Sequence, residues 1–292
     1  MFDGSLVALV TPMRGDGAVD FEAWARLLEL HAASGTAGVV IGGTTGESAT
    51  LRDAELRELL VRACEQLRGR LAVIAGAGTS STASTVERVA WVSELPVDGL
   101  LVVTPAYNRP PQEGLYQHFA AAARAARKPL LLYNVPTRTA VDMKPATVAR
   151  LARLAGIVGI KEAVAEPARV RELVALCPRD FVVLSGDDAT ARESIAAGSR
   201  GVISVTANVA PRAMSEMLAA ARSGNAARAA ELDAALTGLH RDLFVEANPI
   251  PVKWLLEQLG LIGPGIRLPL TPLAAEHHAT VRAAARAAGL HV

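Results

Sequence analysis

Residues 157–164 read Ile-Val-Gly-Ile-Lys-Glu-Ala-Val, a short apolar run that closes on Lys161. Runs of this length containing Val and Ile read as strands buried on both faces. Lysine is among the residues least often fully buried, so a lysine closing a core strand has two readings. In the first, the strand surfaces there and the ammonium pairs with solvent or a nearby acid. In the second, the amine is desolvated and partly uncharged, a nucleophile able to form a Schiff base.

Other residues with suitable chemistry recur at the ends of apolar runs. Thr44 and Thr45 follow residues 38–41, Tyr107 follows residues 99–104, and Tyr133 closes residues 130–133 with Arg138 just beyond. The chain has 3 tyrosines, and two of them fall at such ends. Taken singly, Tyr133 also reads as a core residue with its hydroxyl on backbone, Tyr107 as a loop aromatic, and Arg138 as a loop arginine paired to an acid. Taken together, they are the parts of an imine-forming site. An amine attacks a ketone, water leaves, and protons are shuttled by a tyrosine hydroxyl beside a threonine. Loop amides at Thr44 and Thr45, with glycines on either side, suit a carboxylate. Arg138 offers a planar fork to a second carboxylate.

Competing motifs fail. Gly76-Ala77-Gly78 follows a strand as a dinucleotide turn does, but Ser81 stands where the third glycine belongs. There is no phosphate loop, Ser185-Gly186 is not a nucleophile elbow, and the 6 histidines show no zinc spacing, His277-His278 falling in a surface helix. No cofactor and no metal is implied.

The 292 residues, 51% hydrophobic, suffice for one large domain or one plus an appendage. Lys+Arg 30 against Asp+Glu 29 gives a net charge of +1, without the basic excess or stripe of a nucleic-acid binder. No apolar run approaches the roughly 18 residues of a membrane span. The opening residues do not read as a secretory signal, with Asp3 where basic residues belong. Cys64 and Cys177 are isolated and form neither a disulfide framework nor a metal pattern. The expectation is a soluble cytoplasmic protein.

The elements that must position these residues alternate. Strands are expected at 5–11, 38–41, 71–75, 99–104, 130–133, 157–161, 181–185 and 201–205. Helices are expected at 21–33, 53–67, 82–95, 113–126, 145–154, 166–176 and 189–197, with residues 134–136 as a turn. Eight strands alternating with helices is the α/β pattern of a (β/α)₈ TIM barrel; an open doubly wound sheet suits about six strands better. Beyond residue 207 only helices are expected, at 211–222, 226–243, 249–259 and 273–288, with Asn248 as an N-cap and Pro249 at the first helical position. The division is a barrel over 1–224, carrying the site, and a C-terminal helical appendage over 225–292. In such a barrel chemistry sits at the C-terminal ends of the strands, where Thr44, Thr45, Tyr107, Tyr133 and Lys161 fall.

Gly43-Thr44-Thr45-Gly46-Glu47, Tyr133-Asn134-Val135-Pro136 and Gly159-Ile160-Lys161-Glu162-Ala163 resemble the signatures of the dihydrodipicolinate synthase/N-acetylneuraminate lyase family. The similarity runs from Gly4-Ser5-Leu6-Val7 to the final helix. It implies a pyruvate-dependent class I aldolase in which Lys161 forms the Schiff base and Tyr133, Thr44 and Tyr107 relay protons, Tyr107 coming from the neighbouring subunit. Backbone at Thr44, Thr45 and Ile203 would contact pyruvate, and Gly186 joins the substrate contacts. Arg138 in Val-Pro-Thr-Arg-Thr, Tyr107 in Tyr-Asn-Arg-Pro, and the Leu-Ser-Gly-Asp-Asp and Val-Glu-Ala-Asn-Pro-Ile-Pro-Val-Lys-Trp stretches point within the family to condensation of pyruvate with aspartate semialdehyde. There the product is 4-hydroxy-tetrahydrodipicolinate on the diaminopimelate route to lysine, Arg138 holds the aldehyde substrate's carboxylate, and the assembly is a homotetramer, a dimer of tight dimers.

One departure from the family stands out. Lysine-inhibited members carry a glutamate matching Ser84 and a tyrosine matching Ala106, so weak or absent lysine feedback is expected. Two other readings compete. A sibling aldolase acting on a sialic acid or 2-keto-3-deoxy sugar acid would keep Lys161 and Tyr133 without needing Arg138. A non-catalytic scaffold would have no need of Lys161, Tyr133, Thr44 and Tyr107 together.

Overall fold

Each strand of the barrel is apolar on both faces because each face meets a different core. In the computed structural model, which describes residues 2–292, the strands are β1 Gly4–Ala8, β2 Gly38–Ile41, β3 Ala72–Gly76, β4 Gly99–Val103, β5 Leu130–Asn134, β6 Ile157–Glu162, β7 Val182–Ser185 and β8 Gly201–Ser204. All pair in parallel with their chain neighbours, and β8 pairs with β1 to close the barrel. Alternate residues such as Leu6, Val40, Ile74, Leu101, Leu131, Leu184 and Ile203 fill its interior, together with Phe2. The intervening set, Val7, Val39, Val73, Leu100, Leu132, Ile160 and Val183, packs against the surrounding helices. Period 2 on a closed sheet thus decides which residues look inward.

The helices are α1 Phe21–Ala32, α2 Asp53–Leu67, α3 Thr82–Val92, α4 Gln112–Ala125, α5 Pro136–Thr139, α6 Pro145–Leu151, α7 Pro167–Leu176, α8 Ala191–Ala196, α9 Pro211–Arg222, α10 Ala226–Asp242, α11 Ile250–Gln258 and α12 Ala275–Ala287. Helix α1 shows why they form where they do. Asp20 accepts from the Glu22 and Ala23 amides at its start, and Trp24, Leu27, Leu28 and His31 make one buried stripe. Helix α9 packs on β1 and α10, α10 packs on α12, and α12 on α11.

The eight-stranded barrel followed by helices is as expected, and β2, α2 and α9 have the expected bounds. Other bounds shift by up to three residues, β1 ending at Ala8 rather than residue 11, α3 at Val92 rather than 95 and α6 at Leu151 rather than 154, and three further local features differ. Residues 136–139 form a single helical turn, α5, where a turn at 134–136 was expected, and Thr206–Asn208 add a 3₁₀ turn after β8. Helix α11 starts one residue late, at Ile250. Pro249 takes the cap position without a side-chain cap bond, and the Asn248 side chain serves elsewhere. A distant hydrogen-bond partner has outcompeted the local capping preference.

Candidate active site

Lys161 and Tyr133 are register partners on the adjacent strands β6 and β5. Both side chains turn into the barrel mouth, and the Lys161 Nζ lies 4.4 Å from the centre of the Tyr133 ring. Lys161 is 5% exposed. Lys128 and Lys144 are half-buried and exposed, and the other buried lysine, Lys253, is paired with Glu47. Among the described residues Lys161 forms no ion pair, so the reading in which it pairs with a nearby acid is excluded within the chain.

The two residues open onto a cavity of about 880 Å³, which Thr44, Thr45, Arg138, Gly186, Val205 and Asn248 also line. Gly186 sits against the Lys161 side chain. A Cβ there would lie 3.0 Å from Lys161 Cε and 2.9 Å from the Ala163 Cβ, so the close approach needs glycine. Arg138 is carried on α5, its Nη2 donating to the Asn248 carbonyl at 3.0 Å. Thr45 Oγ1 accepts from Asn248 Nδ2 at 2.8 Å.

The layer behind the chemistry is polar and buried. The next residues along β5 and β6, Asn134 and Glu162, are again register partners and point outward. Asn134 Nδ2 donates to both Glu162 oxygens at 3.0 and 3.1 Å and to Asp142 Oδ1 at 2.9 Å. The Val164 amide donates to Glu162 Oε1 at 2.8 Å, which fixes the loop carrying Ala163 and Val164 along the cavity wall. Burial pushes the Glu162 carboxyl up to about 7, opposed by those hydrogen bonds and by the Arg169 charge. Arg169 itself forks onto Asp142 at 3.0 and 2.9 Å, and it holds that carboxyl well below the usual range against a desolvation that works the other way.

A second clamp joins the Thr44–Thr45 loop to α11. Glu47, in the left-handed region at φ 57°, accepts from Lys253 and, at 3.1 Å, from the Arg267 amide. Burial lowers the Lys253 pKa, and the Glu47 charge works to restore it. Opposite, Asp188 Oδ2 accepts from the Val205 and Thr206 amides at 2.8 and 2.9 Å, capping the 3₁₀ turn beside the cavity.

Of the expected site residues, Lys161, Tyr133, Thr44, Thr45, Arg138 and Gly186 meet in this cavity. Ile203 is buried in the barrel interior and does not line it; Val205 does. Tyr107 corrects the expectation of one shared rim. It stands 93% exposed at φ 72° on the loop after β4 and is not among the cavity's lining residues. Asn248, Glu47, Lys253 and Glu162 fall inside the quoted motifs, yet the sequence alone assigns them no part in the site. A lysine inside the apolar run Ile250-Pro251-Val252-Lys253-Trp254 was the available signal for one of them.

The family model of the dihydrodipicolinate synthetase family matches residues 1–288. The 4-hydroxy-tetrahydrodipicolinate synthase of Methylococcus capsulatus is 53% identical over 290 residues, covering 99% of this chain and 100% of that one. The synthase of the same name from Aromatoleum aromaticum is 50% identical over 292 residues, covering 100% of both. Among solved structures, the chloride-inhibited dihydrodipicolinate synthase of Acinetobacter baumannii, complexed with pyruvate, superposes with a TM-score of 0.98 at 45% identity over 100% of both chains. The Thermotoga maritima dihydrodipicolinate synthase gives 0.97 at 41%, again over 100% of both.

Proposed function

The chain belongs to the dihydrodipicolinate synthetase family, and from that membership we infer how its own residues carry the family's reaction. The enzyme is a lyase that condenses pyruvate with L-aspartate 4-semialdehyde to 4-hydroxy-tetrahydrodipicolinate, on the diaminopimelate route to lysine. The sugar-acid aldolase alternative is disfavoured, since relatives at about 50% identity over the full length carry the synthase name.

The Lys161 amine attacks the pyruvate ketone and water leaves, giving an imine on Nζ. Loss of a methyl proton gives the enamine, whose carbon attacks the aldehyde of the second substrate. That substrate's amino group then closes on the imine carbon and displaces Lys161. Tyr133 and Thr44 relay the protons, and the backbone at Thr44 and Thr45 faces the pyruvate carboxylate. Arg138 receives the second carboxylate as a planar fork, and Gly186 leaves room beside the adduct. Tyr107, exposed in its own chain, completes the relay in the neighbouring subunit, so the working unit is at least a dimer; the assembly is a homotetramer built of two such dimers. The barrel, 1–224, and the added helices, 225–292, form two parts that share one site, because residues 244–248 wall the cavity. Among the described residues no helix is long and apolar enough to cross a membrane, and we place the enzyme in the cytoplasm, where its small-molecule substrates need neither nucleic acid nor membrane partner. No cofactor enters this chemistry.

The observation that carries this reading is a buried lysine without an acid partner, set over a tyrosine ring in a cavity that also holds Arg138. The test is turnover of pyruvate with aspartate semialdehyde. Lys161→Ala should abolish it, and Arg138→Ala should raise the KM for the aldehyde while sparing that for pyruvate. Unchanged turnover in Lys161→Ala would overturn the mechanism.

A further inference from the structure

We infer that Asn248 is a positioning residue for both carboxylate subsites: its side-chain amide sets the direction of the Thr45 hydroxyl, and its main-chain carbonyl holds the Arg138 guanidinium. The inference rests on the reaction assigned above and extends it to a residue outside the barrel. A hydroxyl has one proton to donate and two lone pairs to accept with. Asn248 Nδ2 occupies one lone pair of Thr45 Oγ1 at 2.8 Å. Among the described residues the Thr45 hydroxyl donates to nothing, and Thr45 lines the cavity although it is only 2% exposed. Its proton is thereby left for the keto acid's carboxylate.

The same residue anchors the other subsite. Arg138 Nη2 donates to the Asn248 carbonyl at 3.0 Å, a bond any residue at 248 can accept. Asn248 can serve both because it is fixed from two sides. The Glu47–Lys253 pair ties α11 to the loop bearing Thr45, and that loop is closed on itself by Glu47 N to the Thr44 carbonyl at 3.1 Å and Ser48 N to the Gly43 carbonyl at 3.2 Å. Asn248 Oδ1, by contrast, is buried without a hydrogen-bond partner among the described residues. A residue placed for packing alone would not carry that desolvation cost; the amide is there for its donor end.

The experiment compares Asn248→Asp, Asn248→Ala, Thr45→Val and the double variant Asn248→Asp/Thr45→Val with the wild type. It reads the KM for each substrate, kcat and the melting temperature. Aspartate at 248 reverses the bond, accepting the Thr45 proton and setting a negative charge beside the keto acid. The pyruvate KM should rise about tenfold or more, while the KM for aspartate semialdehyde stays within about twofold, since the carbonyl to Arg138 is untouched. Asn248→Ala should raise the pyruvate KM less than Asn248→Asp, and in the Thr45→Val background the aspartate substitution should cost less than in the wild type, the part due to the captured hydroxyl proton being lost and the part due to the charge remaining. A wild-type pyruvate KM in Asn248→Asp would mean that residue 248 accepts from Thr45, and would overturn the inference. So would Asn248→Ala shifting both KM values and the melting temperature together, or leaving the pyruvate KM unchanged. If the wild type does not turn over aspartate semialdehyde, the assigned reaction fails by itself; the pyruvate dependence of borohydride trapping on Lys161, compared across the same variants, then decides the role of Asn248.

Discussion

Removing one partner of the Lys253–Glu47 pair leaves the other without a counter-charge. Their side chains are 4% and 0% exposed, so neither can turn to solvent. Glu47→Gln strands the Lys253 amine beside Ile250 and Trp254, and Lys253→Met leaves the Glu47 carboxylate with only the Arg267 amide at 3.1 Å. Breaking a buried pair from one side costs about 3–5 kcal/mol, whereas replacing both partners is often neutral. For 292 residues, at about 2.1 cal/mol/K each, the unfolding entropy is about 0.6 kcal/mol/K, so each single change should lower the melting temperature by about 5–8 °C. Calorimetry at one fixed protein concentration reads this directly. The double variant Glu47→Gln/Lys253→Met should melt above the worse single. Singles costing under about 1 kcal/mol, with an additive double, would be the behaviour of a surface pair and would refute the reasoning.

Three more outcomes follow from the same geometry. Glu162 is held up at about 7, so between about 4.5 and 7 the folded state keeps a proton that the unfolded chain has released. Its contribution is full below about 4.5 and is lost as pH rises through 7. Glu162→Gln should therefore flatten the urea stability profile across that window by up to about 3 kcal/mol, and parallel profiles would rule the effect out. Gly186→Ala presses a methyl onto Lys161 and Ala163; kcat/KM should fall about 10- to 100-fold, against which activity within about twofold of wild type would count. L-Lysine should inhibit weakly or not at all, because Ser84 lacks the carboxylate and Ala106 lacks the phenol hydroxyl expected at those two positions of a lysine site; inhibition at micromolar lysine would show otherwise.

The sequence carried the site where the signal was local. A charge ending an apolar run marked Lys161, and Thr44, Thr45 and Tyr133 followed from the rule that chemistry gathers at strand ends. Helices with a clear stripe, such as α2 and α9, were legible to the residue. What escaped depends on distance along the chain. Asn248 next to a proline looks like a cap, and nothing nearby reveals that its partner, Thr45, is 203 positions away. Glu162 adjoins Lys161 yet faces the other side of the sheet, and its bond to Asn134 exists only through the β5–β6 register. Tyr107 obeyed the strand-end rule in sequence, but the loop after β4 carries it out of its own chain's cavity. The one-turn α5 was too short for any periodicity to show.

The central claim is that Lys161 is the amine that takes pyruvate, and borohydride reduction followed by peptide mass spectrometry tests it most directly. The chain offers Lys128, Lys144 and Lys253 as competitors for the label. The account predicts a reduced pyruvyl group on Lys161 alone, lost in Lys161→Ala and suppressed when aspartate semialdehyde is added before the borohydride. Labelling of another lysine, or of none, while the unreduced enzyme turns over would contradict it.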